Sequence, residues 1–157
     1  MEKRSIYLDD QRVPLEHPEN KEWVVVTNYE DFCLKVTEIG LENIDIVSFD
    51  HDLDRSATLH FLDEVRLTYS IDYRKIKEKT GMHAAMWLCN LSSESGQPLP
   101  LCYSHSANPI GAANIIGYIN LFLKNRKLPQ NCIRAKWAFE KRNELAVDKK
   151  MDENLRD

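Results

Sequence analysis

"VSFDHDL" (residues 47–53) sets two Asp and one His directly behind a run of β-branched and aromatic residues. The run extends back to Ile44, and "IDIVSF" (44–49) reads as a sheet strand. A strand that ends in titratable residues either leaves the sheet through an ordinary turn, where Asp is common, or delivers those groups to a site. Two further stretches end in the same way, "IYLDD" (6–10) and "LCYSHSANP" (101–109).

Outward from these ends the chain alternates. "SIYL" (5–8) is a short strand that stops at Asp9-Asp10, and the proline-containing "QRVPLEHPENKEW" (11–23) shows no helix period. "WVVVT" (23–27) is dense in β-branched residues, the clearest strand signal in the chain. Asn28 can cap a helix with apolar Tyr29, Phe32, Cys33, Val36 and Ile39, and Gly40 can stop it. Residues 55–79 contain the helix-like "FLDEVRL" and "DYRKIKEK" without a clean boundary, and are read as an insertion or lid. "TGMHAAMWLCNL" (80–91) is a helix with Ala85, Met86, Leu88 and Cys89 inward. "LCYSH" (101–105) is a fourth strand. "NPIGAANIIGYINLFLKNR" (108–126) is a long helix with Ile110, Ala113, Ile116, Ile119 and Leu123 on its apolar face. "NCIRAKWAF" (131–139) is the last strand, and the charged residues 140–157 are a tail or surface helix. Strands alternating with helices argue for an α/β sandwich around a mostly parallel sheet, one domain over 1–139.

In an open parallel sheet, ligands bind outside the carboxyl ends of the strands. There the first strand brings Asp9 and Asp10, the third Asp50, His51 and Asp52, and the fourth Ser104, His105, Ser106 and Asn108. Asp9, Asp10 and Asp50 are hard oxygen donors, and their mutual repulsion calls for a proton or a divalent cation. Mg²⁺ suits a few carboxylates combined with waters and phosphate oxygens. Asn108-Pro109 marks a helix start whose N–H groups and dipole would attract an anion. His105, beside that start, and His51 are the candidate proton carriers, though His51, between two Asp, can simply face solvent or the next helix; His17, His60 and His83 read as structural or surface residues.

Composition narrows the partners. A net charge of −4 over 157 residues argues against bulk electrostatic binding of nucleic acid. No apolar run is long enough to span a bilayer, so no membrane partner is expected. "MEKRSIYLDD" has no signal-peptide features. The cysteines, Cys33, Cys89, Cys102 and Cys132, lack zinc or redox spacing, which fits four reduced, buried thiols in a cytoplasmic protein.

The order of "YLDDQR", "SFDHDL", "TGMHAAMWL" and "HSANPIGAANI" resembles the cyclic-phosphate-processing receiver domains, relatives of response-regulator receivers. The resemblance spans roughly residues 5–125. It implies a flavodoxin-like three-layer sandwich with five strands in the order 2-1-3-4-5. It puts the acidic pair at Asp9-Asp10, the phosphoacceptor place at Asp50, the hydroxyl place at Ser104 or Ser106, and the receiver Lys at Lys136. Ordinary receivers have a helix where this chain has the 11–23 loop, and they lack counterparts of Asp52 and His105.

These readings together lead to a Mg²⁺-dependent (or other divalent-cation) phosphoesterase acting on a cyclic phosphate, as a small molecule or an RNA 2′,3′-end. Asp9, Asp10 and Asp50 would hold the metal, and Arg12, Ser106 and Asn108 the phosphate. Asp50 or Asp52 would attack phosphorus if water does not, and His105 would protonate the leaving oxygen. The alternative is a non-enzymatic receiver-type signalling or phosphate-binding module with Asp50 as phosphoacceptor. No protein partner is named by the sequence.

Overall fold

The computed structural model describes residues 2–141. Its strands are β1 (Arg4–Leu8), β2 (Arg12–Pro14), β3 (Trp23–Val26), β4 (Ile44–Phe49), β5 (Leu101–Ser104), β6 (Ile133–Arg134) and β7 (Phe139–Lys141). Its α-helices are α1 (Tyr29–Ile39), α2 (Arg55–His60), α3 (Arg66–Thr68), α4 (Gly81–Ser95) and α5 (Pro109–Asn125). Five strands form one sheet in the order β3-β1-β4-β5-β6, and every neighbouring pair is parallel. Numbered among themselves these strands run 2-1-3-4-5, the flavodoxin-like receiver order expected. β2 and β7 stand apart as an antiparallel ribbon.

Strand alternation divides the side chains between two faces. Ile6 and Leu8 of β1 and Val47 and Phe49 of β4 join the main core with Phe32, Val36, Ala85, Leu88, Ile115 and Ile119 of the helices. Phe32 lies 5.6 Å from Phe49 and 6.0 Å from Trp87, ring to ring. Each such fully buried side chain contributes roughly 1.5–3 kcal/mol. The intervening residues Tyr7 and Ser48 point the other way. Among the described residues that face is covered by aromatic groups, Tyr7 meeting Trp23 edge-on and Trp137 meeting Trp23 and Tyr103. The proline-containing loop runs alongside, with Trp23 donating its indole N–H to the Glu16 carbonyl.

Local signals act as their chemistry predicts. The Asn28 side chain accepts the Asp31 N–H, and Gly40 ends α1 at φ 89°, where a side chain would be strained. α4 runs one turn past the expected end, to Gly96 at φ 72°. Two inward faces need correction. Met86 is 39% exposed, and the buried stripe of α5 is Gly111, Ala112, Ile115, Ile119 and Leu123 rather than one through Ile110, Ala113 and Ile116. The cause is Gly111, which packs directly on the His51 ring and turns its own side of the helix inward. Of the cysteines, Cys33 is only half-buried and the other three are buried, and none is bridged.

The insertion is a helical stretch, α2 followed by a π-turn (Phe61–Val65) and α3, then a 3₁₀ turn at Tyr73–Lys75. The expected last strand, 131–139, is broken. Only Ile133–Arg134 joins the sheet, and Phe139–Lys141 pairs with Arg12–Pro14 in a strand missed within the loop. Glu140 and Lys141, expected to open the tail, therefore belong to β7, and the rest of that tail, 142–157, lies outside the described residues. No helix among the described residues is long and apolar enough to cross a membrane.

Candidate active site

The sheet register puts the polar strand ends level. Leu8 pairs with Phe49 and Phe49 with Ser104, so the next residues, Asp9, Asp50 and His105, leave β1, β4 and β5 side by side. Backbone bonds continue the ladder one step further, from Asp50 N–H to the Leu8 carbonyl (2.9 Å) and from His105 N–H to the Phe49 carbonyl (3.0 Å). Two glycines allow the helices to close over this edge. A Cβ on Gly81 would lie 1.6 Å from the Asp50 carbonyl oxygen, and one on Gly111 would lie 2.3 Å from the His51 ring.

Asp9 is 1% exposed and accepts four hydrogen bonds. Its Oδ1 accepts the N–H groups of Gln11 (2.9 Å) and Arg12 (2.8 Å), and its Oδ2 accepts Arg12 Nε–H (2.8 Å) and His105 Nε2–H (3.0 Å). Arg12 also reaches Asp50 Oδ1 with Nη2 (3.1 Å). Burial pushes the Asp9 carboxyl up, but the His105 hydrogen bond and the Arg12 charge outweigh it, leaving Asp9 below the usual carboxylate range. Asp50 goes the other way. Burial, then the charge of Asp9, raises it well above the ordinary value against the opposing pull of Arg12. Burial and Asp9 likewise raise Asp10 to about 6.

Asp9, Asp10 and Asp50 can each turn a ligand oxygen into one spot, all within 4.8 Å of one another. An all-oxygen donor set with surplus negative charge fits a small, hard divalent cation. The three carboxylates line a cleft of about 320 Å³ together with Gln11, Arg12, Asp52, Thr58, Phe61, Leu62, Ser106, Ala107, Asn108, Phe139 and Lys141. A larger groove, about 700 Å³, lies between the 13–22 loop and Trp137 and shares no residue with this cleft.

Two buried histidines stand behind two carboxylates of the cleft, Asp9 and Asp52, in matching relays. Trp137 donates its indole N–H to Ser48 Oγ (2.9 Å). The Ser48 hydroxyl then has its hydrogen for His105 Nδ1 (2.7 Å), which leaves Nε2–H to face Asp9. In the second relay the Asn114 amide donates to Tyr73 Oη (3.4 Å), and the Tyr73 hydroxyl to His51 Nε2 (3.0 Å). That leaves His51 Nδ1–H for Asp52 Oδ1 (2.7 Å). His105 also stacks on Tyr7 at 4.0 Å, and burial lowers its pKa despite Asp9, which keeps the ring neutral at pH 7.

All the acids expected at the site, with Arg12, Ser106 and Asn108, do line one cleft. Several are disposed differently from expectation. His105 lies behind Asp9 with both ring nitrogens committed and does not line the cleft. Arg12 is the counter-ion of Asp9 and Asp50. Asn108 Oδ1 caps α5 by accepting the Ile110 and Gly111 N–H groups, and its Nδ2 reaches Asp52 (3.3 Å). Pro109 has no N–H and Ala112 N–H bonds to the Asn108 carbonyl, so the first turn of α5 spends its donors internally. Of the two candidate hydroxyls, Ser104 donates to the Phe49 carbonyl (3.3 Å), and Ser106 is the one on the cleft. Lys136 is exposed and does not line the cleft, whereas Lys141, paired across the ribbon with Arg12, does. Sequence reading missed Ser48, Tyr73, Trp137, Phe139 and Lys141. The β2–β7 pairing that brings the last two in joins residues too far apart in the chain for local patterns to show.

A receiver-type sheet with acids at its carboxyl edge defines the class of protein. The family model described as "Cyclic-phosphate processing Receiver domain" matches residues 4–121, and the chain belongs to that family. No curated protein and no solved structure matches it.

Proposed function

We propose that this protein is a Mg²⁺-dependent phosphoesterase that opens a cyclic phosphate, with the 2′,3′-cyclic end of an RNA as substrate. One observation carries the reading beyond a plain phosphoacceptor. Asp52, outside the Asp9/Asp10/Asp50 cluster yet on the same cleft, has a buried histidine N–H and the Asn108 amide on its Oδ1. A carboxylate so oriented is suited to general-base chemistry.

Asp9, Asp10 and Asp50 would hold the cation, which when bound neutralises phosphate charge and polarises a phosphoryl oxygen. Asp52 takes a proton from the attacking water as the water oxygen bonds to phosphorus. The bond from phosphorus to one ribose oxygen breaks, and that oxygen takes up the proton that Asp52 removed from the water, leaving a phosphomonoester beside a free hydroxyl and Asp52 ionised again. Ser106, whose Oγ accepts the Asn108 N–H (3.1 Å), donates its hydroxyl hydrogen to a phosphoryl oxygen. Lys141 adds positive charge at the rim. His105 acts through Asp9, fixing that carboxylate, in place of the acid role its sequence position suggests.

The test is a short RNA ending in a 2′,3′-cyclic phosphate, incubated with Mg²⁺ and read by mass spectrometry. Gain of one water by the RNA end with the wild type, lost with Asp52→Asn and Asp50→Asn, is the expected result. An intact ring with Mg²⁺ bound, or a stable phosphoryl group on Asp50 after a small phosphodonor, would overturn it and favour the signalling module.

A further inference from the structure

Besides the acids and Arg12, the cleft is lined by polar Gln11, Thr58, Ser106, Asn108 and Lys141 and by an apolar wall, Phe61 and Leu62 of the π-turn, Ala107, and Phe139 of β7. Leu62 is 46% and Phe139 42% exposed, a cost in water unless something covers them. The Arg12 guanidinium lies over the Phe139 ring, 5.1 Å from its centre, and its ion pairs with Asp9 and Asp50 tie that ring to the acid cluster. π-turns are rare and gather at functional sites. This one joins α2 to α3 where its first two residues meet the cleft.

Building on the phosphoesterase reading, we infer that this wall binds the nucleobase next to the scissile phosphate. Phe61 and Leu62 come from the insertion and Phe139 from β7, and the cleft is a one-nucleotide site. A bare phosphoryl group or a small phosphodonor would leave the wall wet, and a sugar phosphate would set hydroxyls against it. A planar base buries it. The side chains of Phe61, Leu62, Ala107 and Phe139 offer apolar surface and no hydrogen bonds, so contact with them is tolerant of base identity and favours purines for their larger area. Phe139 and Lys141 lie beyond the residues matched by the family model, so this half of the wall comes from the chain's own C-terminal ribbon.

Calorimetry of the full chain in Mg²⁺ tests this with three probes, inorganic phosphate, adenosine 3′-monophosphate and cytidine 3′-monophosphate. The expected result is adenosine 3′-monophosphate binding about tenfold or more tighter than inorganic phosphate, cytidine 3′-monophosphate in between. Phe61→Ala and Phe139→Leu, on separate elements, should each shrink the ratio of nucleotide to phosphate affinity. A ratio near one in the wild type, or unchanged in both variants when circular dichroism shows them folded, would overturn the base-binding wall and leave the phosphoesterase reading standing. If neither phosphate nor nucleotide binds with Mg²⁺ present, both fall together.

Discussion

His105 Nε2 lies 3.0 Å from Asp9 Oδ2, and Ser48 holds the opposite ring nitrogen at 2.7 Å. The imidazole is thereby fixed in one tautomer, neutral, with its single N–H aimed at a carboxylate. A histidine with both nitrogens engaged is poorly placed to give a proton to a substrate and well placed to orient a metal ligand.

His105→Leu should weaken Mg²⁺ binding by about 10–100-fold, the range typical of lost partners to metal-binding carboxylates. His105→Gln, which can restore an N–H to Asp9, should recover much of that affinity. Calorimetry gives the affinities, and ¹⁵N NMR of the wild type should show the Nε2–H tautomer. Equal affinities in wild type and His105→Leu would assign His105 a packing role only.

Asp52→Asn should lower turnover by about 10²–10⁴-fold, the usual contribution of a general base. Its Mg²⁺ affinity should stay near the wild-type value, because Asp52 is outside the metal cluster. Parallel loss of both would place Asp52 among the ligands instead.

Acidity should act through Asp10 and Asp50. Asp10, raised to about 6 by burial and by Asp9, carries a proton below that pH, and a cation must displace it. Mg²⁺ affinity should therefore fall as pH drops through about 6, and binding near that pH should release protons, measurable by calorimetry in buffers of different ionisation enthalpy. The same shift has a sign for stability. Between the unfolded value of 3.8 and about 6, the folded Asp10 binds more protons than the unfolded one. Its contribution to stability falls as pH rises through that window, and Asp50, also raised, acts in the same direction. His17, His83 and His105, lowered by burial, act in the opposite direction, so without Mg²⁺ the loss should be read as the difference in urea midpoint between wild type and Asp10→Asn, and saturating Mg²⁺ should reverse it.

Gly81→Ala should cost about 3 kcal/mol or more, since the added methyl meets the Asp50 backbone rather than a side chain that can turn away. Gly117→Ala, on the same sort of helical backbone with nothing within 4 Å, should instead stabilise by roughly 1 kcal/mol. Urea unfolding of both variants separates close approach from helix propensity.

The sheet was legible because short apolar strands and capped helices carry their period in consecutive residues. The Asn28 cap and the Asn108-Pro109 helix start were visible for the same reason. The acid cluster was legible too, because parallel strands bring their carboxyl ends to one edge whatever the side chains do. What each polar group does there was not. Whether His105 faces a substrate or Asp9 depends on Ser48, 57 residues before it, and on Trp137, 89 residues after Ser48 along the chain. Ser48 sits inside "IDIVSF" and Trp137 inside "NCIRAKWAF", and nothing in either strand's local pattern marks a contact between them. The ribbon of β2 and β7 was hidden because its strands are three residues each, too short to show a period.

That ribbon has a consequence for how the molecule is made. Arg12 pairs with Lys141 and Pro14 with Phe139, so the first acid turn of the chain waits for nearly the last described residues before its cleft is closed. During synthesis the sheet from β1 to β5 can assemble while the closing strand is still inside the ribosome. The acidic edge is thus closed only once β7 has emerged, and a nascent chain cut short before residue 139 would hold the acids at the sheet edge without the Phe139 ring or the lysine that complete the cleft.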